Sequence, residues 1–302
     1  MMPRVVLILF LLLSLKSTTA AQTSQSSPSP NGQSAANEEI PEPSDKALIG
    51  SIKRGDLSAV LRLLENGVSA DATNDGDTAL CSAVRVNRAD IVAALLARKA
   101  NPNKEEDDGG TALDVAAAVG RVQMVKLLLD HGAHVNHKDG GGHTALLYAS
   151  FGATLKNAPE WLARSFFEIE ENGDDLMTSM GTEHLAVAEL LITAGADVNA
   201  QAEDCGLTGL MVAAIGGNVE LAKILLAHHA DVTIDNGEWN ALKFAEQFGS
   251  PQEIQTQLQK LETKEAKQAY FNWVQFTAPG RQTISKMLRK AGAGKSSAGG
   301  LK

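Results

Sequence analysis

Residues 111–136 read TALDVAAAVGRVQMVKLLLDHGAHVN and contain the pattern that decides the fold. Thr111 is suited to N-cap a short helix of small apolar residues, which Gly120 can end without a steric penalty. Leu127 and Leu128 then belong to the apolar face of a second, antiparallel helix, after which a Gly-rich, polar stretch turns out into a hairpin loop. Such a unit cannot bury its apolar face alone, so it requires stacked neighbours.

The same unit recurs along the chain with a fixed period. The triplet TAL begins at Thr78, Thr111 and Thr144, in steps of 33 residues, and returns in altered form at Thr208 and Asn240. Two further features recur in the same phase. One is a five-residue string, for example GAHVN at 132–136, whose copies end at Asn103, Asn136, Asn199 and Thr233. The other is a pair of leucines, at 63/64, 95/96, 127/128, 190/191 and 225/226. Self-similarity at this period indicates a solenoid.

These motifs resemble the ankyrin repeat over residues 44–262. The resemblance implies an all-α solenoid of about six helix-turn-helix units with hairpin loops. The family's TPLH motif reads TALC, TALD, TALL, TGLM and NALK here, so its Pro and His are absent and a weakened Thr–His hydrogen-bond pattern is expected. In this family the hairpins and the concave first-helix face usually bind proteins. The resemblance therefore implies a protein partner and no catalysis.

One unit is interrupted by a helical insertion. Asn136 and Asn199 are 63 residues apart where 33 are due, which places extra chain at residues 153–182. Within it, Trp161 and Phe166 lie on the apolar stripe of a predicted helix. Two uses remain open: the stripe docks a partner, because aromatic residues dominate interface energetics, or it folds back onto the array.

The N-terminus has the pattern of a secretory signal peptide. Arg4 precedes the apolar run 5–13, and small residues lead to Ala20 and Ala21, so residues 1–21 are expected to be removed and the protein exported, to a periplasm or to the outside. Lys16, shortly after the apolar run, departs from the signal-peptide pattern. The alternative is therefore that the segment is not cleaved and serves as a membrane anchor. The Ser/Pro-rich residues 22–43 are predicted to be a disordered linker.

The C-terminal residues 263–302 carry a net charge of +7, against −15 for residues 44–262. A basic amphipathic helix is predicted over 281–291, before a disordered Gly/Ser-rich end. Its alternatives are a contact with an anionic membrane or acidic partner, a contact with the acidic body, and a solvated helix. A membrane-associated tether, held by the N-terminus or by this helix, is accordingly the second functional hypothesis.

Acidic residues gather on successive hairpins and predict an acidic edge that favours a basic protein partner; solvated loops are the alternative. The overall charge of −9 argues against nucleic-acid binding. The oligomeric state stays open. The candidate partner-binding residues, to which the concave-face residue Lys243 is added, are Asp75, Asp77, Arg85, Glu105, Glu106, Asp107, Asp108, Asp114, Tyr148, Trp161, Phe166, Glu203, Asp204 and Met211.

Candidate chemistry is sparse. Four histidines (131, 134, 137 and 143) crowd one hairpin, but no cysteine or ordered carboxylate set joins them in sequence, so no metal and no cofactor is predicted. Cys81 and Cys205 lie about four units apart, which excludes a disulfide between them. With no nucleophile–base set and no paired carboxylates in a cleft, the chain is predicted not to be an enzyme.

Overall fold

The computed structural model describes residues 43–155, 182–260 and 264–293. Its helices form successive pairs, each with a first and a second helix. The pairs are α1 (Asp45–Lys53) with α2 (Leu57–Glu65), α3 (Ala79–Arg85) with α4 (Ala89–Ala97), α5 (Ala112–Ala118) with α6 (Val122–Asp130), α7 (Ala145–Leu155) with α8 (Thr182–Thr193), α9 (Gly209–Gly216) with α10 (Val219–Ala227), and α11 (Ala241–Gln247) with α12 (Pro251–Lys260).

The pairs stack into an all-α solenoid, as the sequence predicts. First helices pack on neighbouring first helices from α1 to α11, and second helices pack on one another from α2 to α10. In each leucine pair of the second helices one member is fully buried: Leu63, Leu95, Leu128, Leu191 and Leu225 are each at most 1% exposed. Each such side chain contributes about 2 kcal/mol through its removal from water.

The residue before each first helix caps it. The side chain of each cap accepts a hydrogen bond from the backbone N–H three residues further along. The donors are Cys81 for Thr78, Met211 for Thr208 and Lys243 for Asn240. At the third unit the arrangement differs, because the carboxylate of Asp114 accepts from both the Thr111 N–H (3.0 Å) and the Thr111 hydroxyl (2.7 Å). Aspartate therefore takes over at the position where the family's histidine stands.

The repeated asparagines explain the second sequence string. Asn136 donates to the Gly195 carbonyl (3.0 Å) and accepts from the Asp197 N–H (2.7 Å), although the insertion separates the two units in sequence. Asn103 makes the same pair of bonds to the following unit, and Asn199 accepts the equivalent N–H bond. The string thus encodes one polar link per unit boundary.

Both ends of the predicted insertion, residues 153–182, are helical and continue the array. Helix α7 continues through Ala153 and Thr154, both buried, to Leu155, and α8 starts at Thr182. At the start of α8, buried His184 donates its Nε2–H to the Ala118 carbonyl (2.9 Å) and so ties α8 to the preceding unit. Residues 156–181, with Trp161 and Phe166, lie outside the described residues.

The chain ends in a long helix, α13 (Lys264–Lys290), which runs continuously through Pro279. It begins well before the predicted 281–291 and packs against α9, α10 and α11. It approaches the array closely at Gly280, where an added Cβ would lie 2.0 Å from the Gly217 carbonyl oxygen. Helix α13 therefore caps the last units of the array.

The apolar face of α13 is covered by the array. Ile284 and Leu288 are fully buried, and Arg281, predicted to be a surface charge, is also buried, with its Nη2 donating to the Val274 carbonyl (3.1 Å). Outside, Arg289 pairs with Glu246 of α11 at 2.7 Å. The intramolecular alternative is the one observed, and the face with which residues 281–291 would enter a membrane is occupied.

In the described part of the chain, no helix has the length and apolarity that a membrane crossing requires. The predicted signal peptide, nearly all of the predicted linker and the predicted end beyond residue 293 lie outside that part.

Candidate functional site

The hairpins between units form one continuous surface, here named the finger edge: residues 73–78, 105–110, 139–143, 201–207 and 235–239. The first hairpin contains a small antiparallel sheet of β1 (Thr73–Asn74) and β2 (Asp77–Thr78). Neighbouring fingers bond to each other through the backbone: Gly140 N–H donates to the Asp108 carbonyl (3.0 Å), and Glu203 N–H donates to the Gly141 carbonyl (2.9 Å). The hairpins that carry the predicted acids therefore lie side by side.

Two of the predicted acids are already neutralised inside the array. The Glu106 carboxylate forms a two-pronged ion pair with the Arg85 guanidinium and also accepts from the Thr78 N–H (3.2 Å). Its side chain is only 6% exposed. Asp77 lies between Lys53 (2.7 Å) and Arg85 (3.4 Å). Because these charges are paired, Asp77, Arg85 and Glu106 have a structural role at the edge.

Six further acids of the predicted contact set point their charge to solvent. These exposed residues are Asp75, Glu105, Asp107, Asp108, Glu203 and Asp204. Two of their contacts are exposed pairs that are weak in water: Lys138 lies 3.1 Å from Glu203, and His137 lies 3.9 Å from Glu105. The finger edge therefore presents acidic side chains on an ordered backbone.

Two predicted contact residues are not available on the surface, and a third is partly covered. Met211 is fully buried between α9 and its neighbours, and Asp114 is 3% exposed, so neither can meet a partner at the concave face. Tyr148 is half-buried, and its hydroxyl donates to Asp139 Oδ2. Lys243 is exposed, and its Nζ donates to the Glu238 carbonyl (2.7 Å) beside the Trp239 ring.

Asp114 belongs to a buried polar network behind the finger edge. Burial raises the pKa of its carboxyl to about 6, although the two bonds from Thr111 act in the opposite direction. Among the described residues no donor reaches Asp114 Oδ1. Nearby Asp139 is also desolvated, but bonds from His143 and Tyr148 outweigh that effect and hold its pKa at about 2.

His143 is the member of this network that sequence reasoning missed. Its Nδ1 lies 3.2 Å from Asp139 Oδ1, and its Nε2 lies 3.5 Å from Asp204 Oδ1. Burial of the ring disfavours its charged form, but the bond and charge of Asp139 outweigh burial and raise the pKa of His143. The spacing of Asp139 and His143, four residues apart across three glycines, was the available signal.

Both thiols are buried and free of disulfides. Cys81 is fully buried at the start of α3, and burial raises its pKa far above the ordinary value. Cys205 lies within the fourth finger, at 9% exposure, and burial raises its pKa to about 12. Their separate positions agree with the exclusion of a disulfide between them.

Comparison with known protein families identifies the array. A family model described as ankyrin repeats in three copies matches residues 34–106 and 176–264, which is more than half of the chain. The chain belongs to the ankyrin repeat family. A second model, for ankyrin repeats in many copies, matches residues 95–149. Ankyrin repeats are in general protein–protein interaction modules, so a protein partner is the expected ligand class.

A short similarity to a curated relative accompanies this match. The 2-5A-dependent ribonuclease of Mus musculus is 41% identical over 64 residues, which are 20% of this chain and 9% of the ribonuclease. The matched part is an ankyrin-containing region. Because the alignment covers so little of the ribonuclease, it supports similarity in the ankyrin repeats only, and the activity of that protein is not transferred to this chain.

Proposed function

We propose that this ankyrin protein is an exported, non-catalytic module that binds a basic protein partner through the finger edge. The observation that supports the proposal is the row of exposed carboxylates at Glu105, Asp107 and Glu203, on fingers joined by backbone hydrogen bonds. A surface of one sign steers oppositely charged partners and raises their association rate. Ordered fingers also lose little conformational entropy on binding.

The structure narrows the proposed contact surface. Asp77, Arg85 and Glu106 are engaged with one another, and Asp114 and Met211 are buried. The proposal therefore uses only the exposed acids of the fingers. A contribution of Trp161 and Phe166 stays a prediction.

The proposal is tested with an edge variant that removes charge without disturbing the fingers. Glu105→Gln, Asp107→Asn and Glu203→Gln are combined, because these side chains are exposed and Glu106 is left in its ion pair. The matched control combines Glu65→Gln, Glu189→Gln and Glu220→Gln on second helices, where the side chains are also exposed. Both variants lose three negative charges.

Affinity capture from the native compartment then compares wild type, edge variant and control. We expect wild type and control to retain basic proteins that salt releases. The amount of these proteins retained by the edge variant is expected to be at least tenfold lower. Equal retention by both variants would reject the finger edge as the contact surface. Adding Trp161→Ala with Phe166→Ala to wild type measures the contribution of the insertion.

Export is tested on the chain itself. The amino-acid pattern of residues 1–21 predicts a mature protein that begins at Ala21 or Gln22, recovered in the exported soluble fraction. N-terminal sequencing of the protein from its native host gives the start directly. Recovery only in the membrane fraction, with Met1 retained, would favour the tether hypothesis instead.

A further inference from the structure

Three potential metal ligands converge where the third and fourth fingers of the finger edge meet. His143, Asp204 and Cys205 each offer one ligand atom, and these three atoms lie within 4.8 Å of one another. About 60 residues of sequence separate the histidine from the other two. Only the stacking of the fourth unit on the fifth, across the insertion, brings them together.

The backbone fixes the two fingers against each other at this place. Both Glu203 N–H and Asp204 N–H donate to the Gly141 carbonyl, at 2.9 and 3.2 Å. Within the fourth finger, Ala202 N–H bonds to the Leu207 carbonyl (3.0 Å), which closes the loop that holds Cys205. At Gly142, an added Cβ would lie 2.7 Å from the Glu203 nitrogen, so the approach depends on glycine. The ligand backbones are thus preorganised.

The histidine ring is also oriented. Asp139 Oδ1 is bonded to the His143 Nδ1 (3.2 Å) and accepts from the His143 N–H (2.8 Å), while Asp139 Oδ2 accepts from the Tyr148 hydroxyl. The Asp139 side chain is 8% exposed. A histidine that ligates a metal usually donates its other ring N–H to a carboxylate in this way, which fixes the tautomer and raises ligand basicity.

We propose that His143 Nε2, an Asp204 carboxylate oxygen and Cys205 Sγ form a three-ligand zinc site. Nitrogen, oxygen and thiolate donors together suit Zn²⁺, and three protein ligands leave one tetrahedral position for water or a partner group. On binding, the thiol loses its proton to solvent as the sulfur–zinc bond forms. Such an ion would join the third and fourth fingers and would engage Asp204, one of the exposed acids of the finger edge.

The fit needs only a small adjustment. Ligand atoms bound to zinc at about 2.0–2.3 Å are roughly 3.3–3.8 Å from each other in a tetrahedral site. The present separations, within 4.8 Å, therefore close with a shift of about 1 Å. His143 Nε2 and Asp204 Oδ1 already lie 3.5 Å apart, so the shift is required only of the pairs that include Cys205 Sγ, and the 41% exposed side of Asp204 admits the ion.

Cobalt titration of the reduced, metal-free full chain tests the site. Co²⁺ is the probe because a cobalt–thiolate bond gives a charge-transfer band that nitrogen and oxygen ligands do not give. We expect one equivalent to produce this band in wild type and in Cys81→Ala, and no band in Cys205→Ala. Metal held by His131, His134 or His137 alone would show no such band, so its absence in wild type rejects the proposal. A band that persists in Cys205→Ala rejects it equally.

A second measurement keeps the test decisive if Cys205→Ala does not fold. Asp204→Asn and its neighbour Glu203→Gln both change exposed carboxylates and are compared by Zn²⁺ titration calorimetry. The Asp204 variant is expected to bind at least tenfold more weakly, and the Glu203 variant to match wild type. Equal affinities for the two variants would overturn the site.

Discussion

The guanidinium of Arg85 and the carboxylate of Glu106 form a two-pronged ion pair across the boundary between the second and third units. The same carboxylate accepts the N–H of Thr78, the residue that caps α3. A residue counted in sequence as part of a binding surface thus connects a finger to the helix behind it.

We therefore expect Glu106→Gln to lower the free energy of unfolding by about 2 kcal/mol, because charge-assisted bonds to a nearly buried carboxylate are lost. Urea denaturation measures the change. Glu105→Gln, one residue away and exposed, is the control and is expected to stay within about 0.5 kcal/mol of wild type. Equal losses in both variants would contradict the assignment.

The buried Asp114 carboxyl predicts a pH-dependent stability. Its pKa is about 6 in the folded protein against an ordinary 3.8, so the folded state holds the proton more tightly. From about pH 4 to pH 6 the folded state binds more protons than the unfolded state, and stability from this group falls as pH rises. Above pH 6 the full cost of burying the charge applies.

Asp114→Asn removes this cost and keeps an oxygen for the Thr111 N–H. The difference in the free energy of unfolding between variant and wild type is expected to increase by about 2 kcal/mol, in favour of the variant, as the pH rises from about 4.5 to about 7.5. Unfolding curves of the two proteins in the same buffers measure this difference. The pH-dependent contributions of the other titrating groups are the same in both proteins and cancel. A difference that does not vary with pH would refute the prediction.

The link at Asn136 joins two units that the insertion separates in sequence. Asn136→Ala removes both of its bonds, to the Gly195 carbonyl and from the Asp197 N–H, and is expected to cost about 1–2 kcal/mol. Asn66→Ala, at an exposed helix end, serves as the comparison in thermal unfolding. If both variants melt at the same temperature, the link does not contribute.

Gly280→Ala tests the docking of α13. The added methyl group would meet the backbone carbonyl of Gly217, which cannot rotate away as a side chain can, so a cost of about 1–3 kcal/mol is expected. Displacement of α13 should also expose buried Trp273 and shift its fluorescence to the red. Gly50→Ala is the control, because its nearest contact is an Arg54 side-chain nitrogen at 3.4 Å. A stable Gly280 variant with unchanged fluorescence would show that α13 tolerates the contact.

The fold could be predicted from sequence because repetition amplifies a weak local signal. The threonine before four of the first helices, the leucine pair of the second helices and the asparagine at three unit boundaries recur in phase, and each has one structural task. A single TAL triplet would have indicated little, whereas three in register indicate a solenoid.

The candidate site was less predictable because it depends on contacts between units. Met211 occupies a position that faces the concave side in sequence, but α7 and α11 pack close enough to bury it. His143 and Cys205 could not be connected before the stacking was known, since the insertion obscures their register. Arg281 is likewise charged and therefore expected at the surface, and only the position of α13 against the array shows that it is buried.

The placement of α13 has a consequence for how this protein could change in length during evolution. A unit added at the end of a solenoid would stack on the last helix pair, but here one helix lies across α9, α10 and α11 together. A duplicated unit after α12 would have to displace it and uncover Trp273, Ile284 and Leu288. New length is therefore more readily accepted inside the array, and the extra chain between α7 and α8 is located there.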